Sequence, residues 1–248
     1  MGNLLLQQVK IIKYLHVLYH MDTRLFPNDT LYCEGRTRTW LRGWFHFFMC
    51  ITFFPLLLVN YISIFYHKKA NTTIFIACII NLLIIYMAHC MSAFYHIYPL
   101  ELASEIVAQK MDIIGANLYV ASSYLPMVFA LFPTNIGMSL FLGVLVTVVW
   151  NIVCIVNSNY NINQPVFLCL WQILFGYYIW KYFTRSELIL NMSGLGALSI
   201  GAWFLVNEYI PFGIETLFFN SFEIYHGISV VCLMCTCLMN YSMFKRTV

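Results

Sequence analysis

The chain has 248 residues, of which 61% are hydrophobic, 18% are aromatic and only 9% are charged. A soluble domain carries about 25% charged residues, so this composition excludes a water-soluble globular protein and predicts an integral membrane protein. The net charge of +3 comes without a basic run long enough to follow a phosphate backbone, which excludes nucleic acid as a partner.

Residues 1–43 precede the first long apolar run and form a segment of their own. Within them, the stretch 3–21 is interrupted by polar residues, yet most of its apolar side chains fall on one side of a helix. This pattern predicts an N-terminal helix that lies in the membrane interface or packs on the bundle from the cytosol. We expect no cleavable signal peptide, because no small-residue cleavage site follows.

Seven apolar runs follow, each close to the length of about 20 residues that crosses a bilayer. They occupy residues 44–66, 74–98, 112–132, 135–157, 165–183, 188–210 and 219–244. The connections carry turn residues, and none is long enough for a second folded domain. We therefore predict an all-α integral membrane protein, a seven-transmembrane helical bundle over residues 44–244, with a short C-terminal tail at 245–248.

The charges beside the first span indicate its orientation. Arg36, Arg38 and Arg42 precede this span, whereas Lys68 and Lys69 follow it. Cytosolic loops carry an excess of basic residues, and the first span usually weighs most. The sequence therefore predicts a multi-pass protein with its N-terminus in the cytosol.

Several polar residues stand at the ends of spans, where ionisable side chains are costly and indicate function. His96 ends span 2, Asp112 opens span 3, and Glu223 and His226 open span 7. Even-numbered spans end, and odd-numbered spans begin, on the N-terminal side, so all four share one leaflet. Ser92 lies four residues before His96 and on the same helical face.

Imidazole and carboxylate groups that converge inside a bundle are typical of metal sites, and Glu223 and His226 have the i, i+3 spacing used there. We expect a Zn²⁺ site with His96, His226, Asp112 and Glu223 as candidate ligands. Zinc at such a site makes water available for hydrolysis, with Asp112 as general base. Ser92 would orient a ligand or stabilise an oxyanion.

The remaining histidines near span ends are interpreted as side chains of the membrane interface. This interpretation applies to His46, His67 and His89. His89 lies on the same helical face as His96 but roughly 10 Å earlier along the axis, too far to share an ion with it.

The motifs of spans 2 and 3 resemble the haemolysin III and progestin/adipoQ receptor superfamily. That superfamily shows a Ser-x-x-x-His ending its second span, an Asp opening its third, and a following Ser-Tyr-x-Pro. In this chain the matching residues are Ser92, His96, Asp112 and the segment Ser123-Tyr124-Leu125-Pro126. More distantly, the pattern is similar to that of alkaline ceramidases, which are zinc-dependent lipid amide hydrolases.

The last span resembles the superfamily's Ser-His-x-x-x-His opening through Ser221 and His226, but Phe222 stands where the first of these histidines is expected. The resemblance implies zinc held by the histidines of spans 2 and 7, and a membrane lipid as substrate or ligand. Two hypotheses follow. If Glu223 supplies the missing ligand, the protein is a hydrolase of a lipid amide or ester. If the site is degenerate, the protein is a non-catalytic, receptor-like or lipid-homeostasis member.

Overall fold

The computed structural model describes residues 40–68, 71–98, 100–132, 134–157, 175–176, 179–207 and 221–247. These residues belong to one compact unit, Thr39–Val248, and they contain helices but no strand. In chain order the helices are α1 (Trp40–Phe48), α2 (Phe54–Lys68), α3 (Thr72–Ile97), α4 (Leu102–Ser122), α5 (Tyr124–Leu131), α6 (Thr134–Val156), α7 (Arg185–Asn207) and α8 (Ser221–Arg246). The predicted all-α class is confirmed.

Within the described ranges, five helical stretches are long and apolar enough to cross a membrane. They are Gly43–Lys68, Thr72–Ile97, Leu102–Leu131, Asn135–Val156 and Ile224–Arg246. The protein is thus a multi-pass membrane protein with several apolar helices. The helix α7 covers most of the predicted sixth span, whereas most of the predicted fifth span and the predicted N-terminal helix lie outside the described residues.

A single turn of π-helix, Met49–Phe53, joins α1 to α2 without a break. At its end, the N–H of Phe54 donates to the carbonyl of Met49, five residues earlier. Pro55 follows, and a proline inside a helix lacks a donor and crowds the carbonyl four residues before it. The wider turn makes room there, and such π-helical turns are frequent beside functional sites.

The helix α4 starts well before the predicted third span. It begins at Leu102, about three turns ahead of Asp112. The added turns contain Glu105 and Lys110, which lower the hydropathy without opposing a helix, because Glu, Lys, Leu and Ala are all good helix formers. Asp112, which was predicted to open the third apolar span, therefore lies inside this helix, where the apolar part begins.

The central helix of the described bundle is α3, which packs against α1, α2, α4, α5 and α8. Two glycines allow neighbouring helices to approach α3 closely. A Cβ atom on Gly115 of α4 would lie 3.2 Å from the Cα atom of Ala88, and one on Gly43 of α1 would lie 3.1 Å from the backbone nitrogen of Ile97. These contacts bring α1 and α4 against the C-terminal half of α3.

Three buried polar side chains, which we call the amide cluster, connect α3, α4 and α8. The Nδ2 atom of Asn240 donates to Oδ1 of Asn81 at 3.1 Å, and Nδ2 of Asn81 donates to the hydroxyl of Ser122 at 3.0 Å. All three side chains are buried. Because a polar group in an apolar interior needs a partner, the amide cluster fixes how these three helices pack.

A second polar contact ties α7 to the end of α8. The carboxylate of Glu187 is fully buried, and it accepts a hydrogen bond from the guanidinium of Arg246 at 3.0 Å. The hydroxyl of Ser242 and the backbone N–H of Thr184 also donate to this carboxylate, at 3.3 Å and 2.8 Å. The buried charge is therefore compensated by an opposite charge and two further donors.

Candidate metal centre

The C-terminal half of α3 supplies two of the predicted site residues. Ser92 and His96 are four residues apart and both are buried, so they face the interior of the bundle as predicted. They lie on the side of α3 that receives α1, α4 and α8. A helix of 26 residues that is held on several sides gives these side chains a rigid base.

Asp112 of α4 joins this pair. One carboxylate oxygen, Oδ2, lies 3.6 Å from Nε2 of His96, and the side chain of Ser92 lies near the same carboxylate. The carboxylate thus faces a hydroxyl and an imidazole that are one turn apart on α3. The structure brings spans 2 and 3 together here, through the contact of Asp112 with His96.

The first turns of α8 bring His226 to the same place. Its ring lies edge-on to that of His96, with 5.0 Å between the ring centroids. The side chain of His226 is buried. The helix α8 begins at Ser221, so Phe222 and Glu223 belong to its first turn, but their side chains lie outside the described part of the structure.

A third imidazole, His46 of α1, occupies the space between α3 and α8. Its ring centroid lies 5.4 Å from that of His226 and 6.3 Å from that of His96. His46 is buried, so its interpretation as a side chain of the membrane interface is wrong. Gly43, Met49 and Cys50 are buried with it at helical spacing, and this inward stripe is the sequence signal that could have identified it.

His89 stands behind His46 and completes a group of four rings. Its Nδ1 atom is hydrogen-bonded to Nδ1 of His46, and the ring centroids are 4.8 Å apart. His89 is also buried and packs against the ring of Phe54, so the interface interpretation fails here too. We call His46, His89, His96 and His226 the histidine cluster. His67, by contrast, is exposed.

The arrangement gathers metal ligands without orienting them for a metal. Within the described ranges, no three His, Cys, Asp or Glu side chains stand in a geometry that could hold an ion. The ring nitrogens explain this, because Nε2 of His96 lies beside the carboxylate of Asp112 and Nδ1 of His46 is bonded to His89.

The donor set nevertheless fits zinc in its spacing. An imidazole nitrogen binds zinc at about 2.0–2.1 Å, which puts the ring centroid about 3.2 Å from the metal and two tetrahedrally arranged rings about 5.2 Å apart. The measured separations between the rings of His46, His96 and His226 are 5.0, 5.4 and 6.3 Å. Neutral imidazole with a nearby carboxylate is also the donor chemistry that zinc prefers.

A small cavity lies deeper in the bundle, among α4, α5, α7 and α8. Its lining includes Tyr119, Ser123, Asn191, Cys232 and Met239. Tyr119 is seven residues after Asp112, and Cys232 is six residues after His226, which corresponds to roughly 10 Å along each helix. The cavity is therefore separate from the histidine cluster, one to two helical turns farther into the membrane-spanning part.

Comparison with known proteins identifies the family. No curated protein and no solved structure matches the chain. The model of the family described as haemolysin-III related matches residues 35–237, a range that includes the whole histidine cluster together with Ser92 and Asp112. This chain belongs to the haemolysin-III-related family.

Proposed function

We propose that this protein is a seven-span membrane hydrolase that uses zinc, bound near the cytosolic face, to cleave an amide or ester bond of a membrane lipid. The observation that carries the proposal is the convergence of His96, Asp112 and His226 from three helices. Buried imidazoles beside a partly buried carboxylate have a high cost in an apolar bundle, and a bound cation removes much of that cost.

The direction of the helices supports seven spans. The start of α8 and the end of α3 meet at the histidine cluster, and Asp112 reaches it from the first half of α4. Because α4 and α8 leave this region in the same direction, an even number of crossings separates their beginnings. The predicted spans 3 to 6 account for four such crossings. The arginines before the first span support the proposal that this end of the bundle is at the cytosolic face.

The proposed roles follow from the contacts. His96 and His226 hold the metal, with Asp112 beside them and Glu223 as a further candidate ligand. Bound zinc supplies a Lewis acid and makes water available as a nucleophile near neutral pH. Asp112 lies beside His96, so its carboxylate would accept a proton from a water molecule bound at this site. The side chain of Ser92 lies near that carboxylate and would hold it in place.

The substrate class follows from the location of the site. The helices that carry the site are apolar enough to lie within a membrane, so a reacting group must reach it from a lipid or across the headgroup region. A lipid amide or ester carries a carbonyl group that a Lewis acid polarises. The resemblance to alkaline ceramidases favours the amide.

The experiment that tests this function is a turnover assay in lipid nanodiscs. Zinc-loaded wild type is given ceramide or an ester lipid, and the released fatty acid is measured beside His96→Ala and the exposed control His67→Ala. We expect release by wild type and His67→Ala, and none by His96→Ala.

Phe222, in place of an expected histidine, favours the second candidate, a receptor-like or lipid-homeostasis protein without turnover. Zinc-loaded wild type that binds these lipids but releases no fatty acid would overturn the hydrolase proposal and support this candidate.

A further inference from the structure

In the proposed site only two imidazoles, those of His96 and His226, bind the metal. Catalytic zinc sites usually have three protein ligands and one open position. Asp112 is available as a ligand, but its carboxylate also lies near the side chain of Ser92 and beside His96. A third nitrogen ligand would leave Asp112 free to act on water.

His46 is the side chain in position to supply that nitrogen. Its ring stands 5.4 Å from His226 and 6.3 Å from His96 between centroids, against about 5.2 Å for rings sharing one tetrahedral zinc. The rings of His96 and His226 are themselves 5.0 Å apart. The three rings therefore form a triangle of nearly the required size, and each vertex comes from a different helix.

His89 determines which nitrogen of His46 can bind. Metal-binding histidines usually donate their other ring N–H to a partner, which fixes the tautomer and the ring orientation. The Nδ1 atom of His46 is bonded to Nδ1 of His89. With the proton on Nδ1 of His46, Nε2 is the ring nitrogen that carries a lone pair and can bind a metal. His89 then acts as a positioning residue.

The backbone around His46 holds this ring in place. Gly43, three residues earlier, packs so closely on α3 that a side chain there would meet Ile97. The π-helical turn begins three residues after His46 and changes the phase of the helix that follows. The sulfur atoms of Cys50 and Cys90 touch at 3.4 Å, one helical turn farther on. α1 is thus seated on α3 on both sides of His46.

We infer that His46 is the third zinc ligand of this site and that His89 holds it in the binding tautomer. The inference rests on the proposed zinc site, which it completes with a residue from the first span. The site then consists of His46, His96 and His226 as ligands, with Asp112 beside the open position. The first span becomes part of the metal centre, and the site does not depend on the first turn of α8.

The test measures metal binding directly. Detergent-purified wild type, His46→Gln, Glu223→Gln and the control His67→Gln are titrated with zinc against a competing chelator, and zinc X-ray absorption counts the bound imidazoles. We expect about three imidazoles in wild type and about two in His46→Gln, with affinity lowered by at least about 100-fold. We expect His67→Gln to bind as wild type does, and Glu223→Gln to keep the wild-type count of about three imidazoles.

A second variant separates loss of a ligand from loss of the fold. In His46→Cys the thiolate is itself a zinc ligand, so tight binding should return, and with cobalt(II) in place of zinc a thiolate charge-transfer band should appear. His89→Leu should lower the affinity of an otherwise wild-type site by about 10–100-fold. Thermal unfolding of each metal-free variant provides the check on folding.

Two results would overturn the inference in different ways. Wild-type affinity and imidazole count in His46→Gln, with zinc lost from Glu223→Gln, would make Glu223 the third ligand and leave the proposed function intact. A folded wild type that binds no zinc would remove both the inference and the function on which it rests.

Discussion

The amide cluster and the histidine cluster are both buried polar groups, yet they are built on opposite principles. Asn81 and His96 lie on the same helix, 15 residues and therefore roughly 22 Å apart. In the amide cluster each contact joins a donor to an acceptor, at 3.0–3.1 Å. In the histidine cluster four rings of one kind lie together, with neighbouring centroids 4.8–6.3 Å apart, and the carboxylate of Asp112 lies beside His96.

This difference shows what each region is suited to do. Asparagine and serine carry both donors and acceptors, so they can hydrogen-bond to one another without a ligand. A neutral imidazole offers one lone pair, and a cation can bind the lone pairs of several imidazoles at once. The amide cluster is therefore suited to fixing the packing of helices, as a structural lock, whereas the histidine cluster is the place where we propose that zinc binds.

The largest difference between the two clusters is expected when one of the proposed zinc ligands, His96 or His226, is replaced. His96→Ala and His226→Ala should each weaken zinc binding by at least about 10³-fold, more than the 10–100-fold typical of residues behind the ligands. The metal-free variants should unfold at nearly the wild-type temperature, since the amide cluster is unchanged. Chelator competition measures the first quantity and thermal unfolding in detergent the second. Tight zinc binding by either variant would show that the replaced histidine is not a zinc ligand.

A smaller effect is expected from Asp112→Asn, which keeps the shape of the side chain and removes its charge. The affinity for zinc should fall by about 10–100-fold, because a carboxylate beside a bound cation stabilises it. The exposed Glu101, at the start of the same helix, provides the control Glu101→Gln. Equal affinities in the two variants would mean that Asp112 does not act on the metal.

The sequence predicted the residues around Asp112 better than it predicted α1. The parity of the spans was enough to bring Ser92, His96, Asp112 and His226 to one leaflet, because the end of a helix is determined by its direction alone. Whether His46 turns inward depends instead on the rotation of α1, which is set by the contact of Gly43 with α3 and by the π-helical turn. Such packing is not encoded in local hydropathy.

The start of α4 is a second feature that the sequence did not predict. Hydropathy places the membrane-crossing part of the helix near Asp112, but the helix itself extends back to Leu102 because its polar first turns keep helix-forming residues. All-α class and membrane location follow from composition, which averages over the chain. Helix ends and helix rotation follow from particular contacts, which composition does not contain.

A change in the ion pair of Glu187 and Arg246 should lower the stability of the protein without changing its affinity for zinc. Arg246→Met removes the charged partner of the buried Glu187 carboxylate and should lower the free energy of unfolding by about 1–3 kcal/mol. Arg246 is partly exposed, which keeps the effect below that of a fully buried pair. The neighbouring exposed Lys245 gives the control Lys245→Met. Zinc affinity should stay at the wild-type value, and a fall would show that the two regions are coupled.

The smallest effect is expected from the amide cluster itself. Asn240→Leu removes the donor to Asn81 and should cost about 0.6–2 kcal/mol, the range measured for hydrogen bonds between membrane helices. Asn60→Leu is the matched control, because the Asn60 amide donates to the carbonyl of Leu56, one turn earlier in the same helix α2. If both variants unfold at the same temperature, the amide cluster is not a structural lock.

The central claim, that the histidine cluster binds zinc, is tested most directly by elemental analysis of folded wild-type protein. After incubation with zinc and removal of free metal, wild type and His67→Ala should each retain about one zinc per chain, and His96→Ala should retain almost none. Wild type that unfolds cooperatively yet holds less than about 0.1 zinc per chain would contradict the account.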